Sequence, residues 1–215
     1  MPTFPYKLND GTPVPSVTTV LSNLGWSKEG LMYWAWKLGT EGRDYRKVRK
    51  EAAGVGTVVH RMIEEHIKGN TEDSAALQAL NEEDAMMASQ SFNMYLKWEK
   101  RTKPKFRFTE VSLVSEKYRF GGTLDAVGEI DDEMFLMDFK TSNAVYPDHV
   151  IQGAAYRALW NEVHSVQLSE GFYLLRIGKE GGFHDHWINE TALAWGAFLD
   201  LLDLHKIKKQ IEGMI

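Results

Sequence analysis

The hydrophobic period of this chain changes once, at Lys103-Pro104-Lys105. Before that point apolar residues recur three and four apart, the spacing of helices with one face in a core. After it they alternate or form short runs rich in β-branched and aromatic residues, the pattern of strands. A chain that switches in this way must pack helices against a sheet, because neither element can bury its apolar side alone.

The helical half divides at its glycines. Pro15-Ser16 opens a short segment, Val17 to Leu24, closed by Gly25. Ser27 is an expected N-cap for a helix through Leu38, stopped by Gly39. Residues 54–68 place Val55, Val59, Met62, Ile63 and Ile67 on one face, and Gly69-Asn70 end the run. A further helix is expected over residues 82–101. Beyond the break, Phe106 to Val114, Tyr118 to Ile130 and Met134 to Thr141 read as strands, the last two joined by a tight Asp131-Asp132 turn. Pro147 starts a helix to about Val163. Val166 to Ile177 and Phe183 to Ile188 read as two more strands, joined by Gly178-Lys179-Glu180-Gly181-Gly182. Asn189 is the expected cap of a last helix, Ala192 to about Ile211. The fold class is therefore α/β or α+β, with a mixed central sheet flanked by helices. At 215 residues the chain is expected to form a single domain, mainly helical over residues 1–105 and αβ over residues 106–215.

Several function classes drop out. No apolar run is long enough to span a bilayer, so no membrane is expected as a partner. Met1-Pro2-Thr3-Phe4-Pro5 lacks a charged and then apolar leader pattern, so no signal peptide is expected. With no cysteine, disulfides, thiolate zinc sites and cysteine-held clusters are excluded. A reducing cytoplasm fits that composition. There is no Walker A loop, nucleophile elbow or dinucleotide fingerprint. The net charge of −5 argues against a nucleic-acid partner, yet 11 of the 25 basic residues fall in two short stretches, residues 43–50 and 97–107. Such stretches are as readily solvated faces as phosphate-binding ones. Tyr33, Trp34, Trp36 and Tyr45 stand near the first of them, where they could stack bases or form a core stripe. His184 and His186 share one face of a strand with no third ligand in view, which reads as an exposed edge.

The chemistry concentrates in the hairpin. Asp138 and Lys140 stand two apart on a strand, so their side chains leave the same face. Asp125 lies on the strand before, and the hairpin brings it alongside. Two carboxylates converging beside a lysine can hold a hard divalent cation. The cation would supply a hydroxide-like nucleophile and neutralise charge at phosphorus. The lysine would orient or deprotonate water, or stabilise the developing charge. A bare Asp-x-Lys is more often a surface hairpin with a snorkelling lysine, so neighbouring features carry weight. Gly121-Gly122 before Asp125 would permit a bulge or a close backbone approach. Gln152 and Tyr156 share a helix face and could contact phosphate. His60 could add an imidazole ligand, oriented by Glu64 one turn on. Glu110 on the preceding strand could be an auxiliary metal ligand or a surface residue.

Taken together, Gly121-Gly122-Thr123-Leu124-Asp125, Asp138-Phe139-Lys140-Thr141-Ser142, Gln152-x-x-x-Tyr156 and Gly56-Thr57-x-x-His60 resemble the RecB-type branch of the PD-(D/E)XK nucleases. Pro15-Ser16-Val17-Thr18-Thr19-Val20-Leu21 is similar to the N-terminal part of the mitochondrial genome-maintenance exonuclease and its phage relatives. The resemblance implies a restriction-endonuclease-like core and a DNA exonuclease using Mg²⁺ or Mn²⁺, one or two ions. It places His60, Asp125 and Asp138 as metal ligands, Lys140 as catalytic, and Gln152 and Tyr156 as substrate-contacting. It also implies a phage or prophage setting in recombination or repair. The expected partners are DNA with a free end or a single strand, and a single-strand-binding or recombination protein. A structure-specific endonuclease would use the same residues, and a catalytically silent DNA-binding subunit would retain the fold. Subgroups that carry a four-cysteine iron–sulfur cluster fit poorly, since the cysteines are absent.

Overall fold

The computed structural model describes residues 6–26, 28–70, 74–178 and 182–215. The N-terminal pentapeptide, the Ser27 cap position and residues 179–181 of the glycine-rich connection lie outside the described residues. A two-stranded ribbon comes first, β1 (Tyr6–Lys7) with β2 (Pro13–Val14). Five helices follow: α1 (Val17–Leu21), α2 (Lys28–Thr40), α3 (Tyr45–Ile67), α4 (Ser74–Gln78) and α5 (Glu82–Thr102). The second half runs β3 (Lys105–Ser115), β4 (Phe120–Ile130), β5 (Glu133–Lys140), α6 (Pro147–Val163), β6 (Phe172–Ile177), β7 (Phe183–Ile188) and α7 (Thr191–Glu212).

Local chemistry sets most of these bounds. The Ser16 hydroxyl accepts from the Thr19 amide at 3.0 Å and starts α1. The Asp44 carboxylate accepts from the Arg46 amide at 2.8 Å, and Asn81 Oδ1 from the Asp84 amide at 2.9 Å, so α3 and α5 begin on side-chain caps. Lys103 takes up a left-handed φ of 50° and stops α5 just before Pro104. Asp131 and Asp132 both have positive φ, 52° and 64°, the backbone a two-residue hairpin requires.

The five strands form one sheet in the order β3-β4-β5-β6-β7. Only β5 and β6 run parallel, joined through α6, so the sheet is mixed. Two apolar clusters sandwich it. One joins Leu136 and Leu174 to α1, α6 and α7; the other joins Met137, Phe139 and Leu175 to α3 and α5. By strand parity Asp138 and Lys140 therefore belong to the α6 face, whereas Phe139 packs towards α5.

Five sequence expectations need correction. α3 begins nine residues earlier than Gly54, at Tyr45. Val166 to Gly171 is not strand; β6 starts at Phe172. The N-cap of α7 is Glu190 rather than Asn189. The α2 aromatics are no core stripe, because Leu38 is the only buried residue of that helix. Finally, Gly121 and Gly122 make no bulge: Val114 pairs with Gly121 and Leu113 with Gly122 in unbroken register.

Candidate active site

The site opens where β4 and β5 part. Their antiparallel ladder ends at Ala126 and Met137. One residue further on, Asp125 Oδ2 accepts a hydrogen bond from the Phe139 amide at 2.8 Å. A side chain thus replaces the next backbone partner, and Asp125 is held between the diverging strands. Its other oxygen, Oδ1, lies 3.8 Å from Nδ1 of His60, which α3 brings in from the helical half. The His60 ring also meets Phe139 edge-on.

Asp138 is 1% exposed. Its Oδ2 is in ion-pair contact with the Lys140 ammonium but has no hydrogen-bond partner. Burial raises the pKa of this carboxyl well above the usual carboxylate range; Lys140 opposes that shift and the charge of Asp125 adds to it. A buried carboxylate in this condition is costly, which marks it as a group kept for a purpose. Glu110 sits across from Asp125 in the β3–β4 register, with a left-handed φ of 51°. Although the residue is exposed, desolvation of its carboxyl, with the charges of Asp125 and Glu64 and against Lys68, pushes it up to about 7. The charge of Asp125 thus bears on both Asp138 and Glu110 at the fork.

Gln152 and Tyr156 complete the α6 side. Gln152 Nε2 donates to the Tyr156 hydroxyl at 2.9 Å, and Tyr156 is 6% exposed. Burial and the charges of Asp138 and Asp125 raise the phenol far above its ordinary range. The glycines before Asp125 make room for rings: a Cβ on Gly122 would come within 2.6 Å of the Tyr156 ring, and one on Gly121 would run into Tyr6. Gly56 instead makes room for a hydroxyl side chain, since a Cβ there would lie 2.5 Å from Thr141 Oγ1.

The structure thus brings together His60, Glu110, Asp125, Asp138, Lys140, Gln152 and Tyr156. Glu64 does not orient His60, being paired with Lys68. His149 escaped the sequence reading although it lies one turn before Gln152. It lines the same cavity as Lys140, and its Nδ1 accepts from the Tyr146 amide at 3.3 Å. Burial, then the Lys140 charge, lowers its imidazole to about 4.

Among the described residues no three His, Asp or Glu side chains form a ready metal cage. The donor set nevertheless fits a hard divalent cation: a buried carboxylate on Asp138 whose Oδ2 is met by the Lys140 ammonium, an oxygen on Asp125 outside the Phe139 hydrogen bond, and Glu110 and His60 beside them. No described helix is long and apolar enough to cross a membrane. Three of the six basic residues in the second stretch are engaged in surface pairs, Arg101 with Asp185 at 2.6 Å, Lys105 with Asp132 at 3.4 Å and Arg107 with Glu129 at 3.0 Å. His184 and His186 stack on each other along β7 and stay outside the site.

The model of the PD-(D/E)XK nuclease superfamily matches residues 34–182. No curated protein matches the chain in sequence. Among solved structures, a Eubacterium rectale protein recorded as "Putative exonuclease" is similar over 72% of this chain, with 12% identity and a TM-score of 0.51. The match spans only 65% of that protein's length. An alkaline exonuclease, LHK-Exo from Laribacter hongkongensis, matches over 76% of this chain and 92% of its own, with 15% identity and a TM-score of 0.35.

Proposed function

The chain belongs to the PD-(D/E)XK nuclease superfamily, and from that premise we propose that it is a divalent-metal-dependent DNA exonuclease. The observation that carries this reading is Asp138, buried, lacking a hydrogen bond on Oδ2, and held against Lys140 beside the Asp125 fork. Asp125 and Asp138 would hold Mg²⁺ or Mn²⁺, with Glu110 and His60 as further ligands. A bound ion supplies charge neutralisation and a more acidic water.

The chain's own residues do the rest. Lys140 orients the attacking water and offsets negative charge building on the phosphoryl oxygens. Its ammonium is kept near by Asp138, and the side chain is 15% exposed, so it acts in a poorly hydrated setting. Gln152 positions the substrate phosphate, and Tyr156 fixes Gln152 through their shared hydrogen bond. Action from a strand end, in phage or prophage DNA processing in a cytoplasm, is the setting that the family resemblance supports.

The test is cleavage of end-labelled linear DNA with Mg²⁺ or Mn²⁺. Asp138→Ala and Lys140→Ala should each be slower by roughly a hundredfold to a thousandfold or more, the scale for losing a preorganised charge-stabilising group. Equal rates in wild type and both variants would end the proposal. Cutting of closed circular DNA would move the reading from exonuclease to endonuclease.

A further inference from the structure

The last helix, α7, is apolar on two opposite sides. Ala194, Phe198 and Leu202 recur four apart, are buried, and join the cluster shared with α1 and α6. At 3.6 residues per turn, Leu193, Asp200, Leu204, Ile207 and Ile211 fall on the side turned away from that cluster. Leu193 is 85% exposed, and Leu204, Ile207 and Ile211 are 50%, 50% and 54% exposed. Beyond Leu202 no residue of the helix is buried. A surface helix needs one apolar stripe to face its own core. A second stripe, on the opposite side, is kept from water only by a partner.

The one charge within the outer stripe chooses that partner. Asp200 is exposed and makes no ion pair among the described residues. A lipid surface would draw its carboxylate into the acyl boundary with the leucines and isoleucines, at a high desolvation cost. A second copy of the helix can answer the charge. Asp200 and Lys208 stand four residues either side of Leu204, and Ala197 and Ile211 stand seven either side. Two copies laid antiparallel about Leu204 therefore set Leu204 against its own copy. In that register Asp200 of each copy lies opposite Lys208 of the other, and each Ile211 lies opposite the small Ala197. A parallel pair would instead set Asp200 against Asp200 and Lys208 against Lys208, which repel. Lys208 is free to turn, since its contact with Glu212 is a half-exposed surface pair at 3.8 Å.

We propose that α7 pairs two copies of this chain, antiparallel and centred on Leu204. The interface is isologous: each contact occurs twice about a two-fold axis, and the assembly closes at two copies. The 22 residues of α7 make a helix about 33 Å long. One such helix pair offers less than the roughly 800 Å² per partner of a standard interface, so pairing is an equilibrium that rises with concentration. No α7 residue lines the cavity between α2 and the mouth of the active site. Pairing therefore leaves both sites open, and one dimer carries two of them.

The experiment is sedimentation velocity of the full chain over a concentration series. Wild type should pass from monomer to dimer as concentration rises. Leu204→Glu, which sets two carboxylates at the centre of the pair, should weaken the dimer at least roughly tenfold. Asp200→Lys and Lys208→Asp should each weaken it several-fold alone. Mixed with one another, those two variants should pair as wild type does, because each supplies the opposite charge at both contacts. All of these positions are exposed, so folding is not at stake. Orientation is read separately. The chain has no cysteine, so an introduced one is the sole thiol. Leu204→Cys should cross-link to its own copy on oxidation, and Ile211→Cys should not. A monomer at every concentration, a dimer that Leu204→Glu leaves intact, or an Ile211→Cys cross-link as efficient as that of Leu204→Cys overturns the proposal. So does a wild-type monomer that binds anionic vesicles through Leu204, which would assign the stripe to a lipid surface. None of these readouts needs DNA cleavage, so the pairing and the nuclease reading stand or fall separately.

Discussion

Asp138 on β5 is almost wholly buried, whereas Trp26, Tyr33 and Trp36 at and on α2 lie more than half exposed, although α2 and β5 face each other across one cavity. The hairpin wall is over-determined. Asp125 is keyed to the Phe139 amide, Asp138 is pressed against Lys140, and Gly122 leaves only enough room for the Tyr156 ring. The α2 wall is held by little beyond Leu38 and the edge contact of Trp34 with Tyr45. Chemistry that must place charges within a fraction of an ångström needs the first kind of wall. A surface that must admit a partner of variable sequence can use the second. The cost is an apolar face left to water.

That contrast can be broken or sharpened by experiment. The largest effect belongs to the hairpin, where Asp138→Ala should abolish measurable cleavage while an exposed α2 substitution such as Met32→Ala leaves the maximal rate within a few-fold. Comparable losses in both would erase the distinction. Next comes packing. Gly122→Ala forces a methyl against the Tyr156 ring and should cost about 1–3 kcal/mol of stability, the range for overpacked cores. Denaturant unfolding measures it directly, and a neutral result would show that Tyr156 can move.

A smaller effect is expected in acid. His149 is neutral in the fold because burial and Lys140 lower its imidazole to about 4 from an ordinary 6.5. The unfolded chain therefore binds the extra proton first. The His149 contribution is complete above 6.5 and is lost as the pH falls from there towards 4. Wild type should lose a few degrees of Tm over that window relative to His149→Asn, which does not titrate. Parallel melting curves would contradict the buried neutral ring. The smallest effect, and one of opposite sign, belongs to α2. Nothing lies within 4 Å of a Cβ on Gly30, so Gly30→Ala should stabilise by about 0.5–1 kcal/mol through helix propensity. A destabilisation there would mean that α2 is packed more closely than its exposure indicates.

Long elements with a regular apolar period were legible in the sequence, and so was the αβ order. α5, β4, β5 and α6 fall within two residues of their expected bounds, because caps, the Asp131-Asp132 turn and Pro147 punctuate them. The β1–β2 ribbon was invisible, since two-residue strands have no period to detect. The first turns of α3 were missed because Arg46, Lys47, Arg49 and Lys50 carry no apolar stripe; Asp44 as a cap was the overlooked signal. The candidate residues converge, and of the two uses expected of the glycine pair the bulge is absent while the close approach is made, by side chains of this chain. The openness of the pair serves Tyr6 and Tyr156, contacts made by residues distant in sequence. Glu110 could be placed near the site, yet its left-handed backbone could not be foreseen from a strand pattern.

The bond from the Phe139 amide to Asp125 Oδ2 makes one rung of the β4–β5 ladder ionisable. An ordinary rung is indifferent to solutes. This one weakens when its carboxylate is protonated or shares its electrons with a cation, and it stands at the point where the strands carrying both acids separate. A cation held there would thereby be coupled to the spacing of the site's own walls, and the Phe139 amide proton would gauge that coupling.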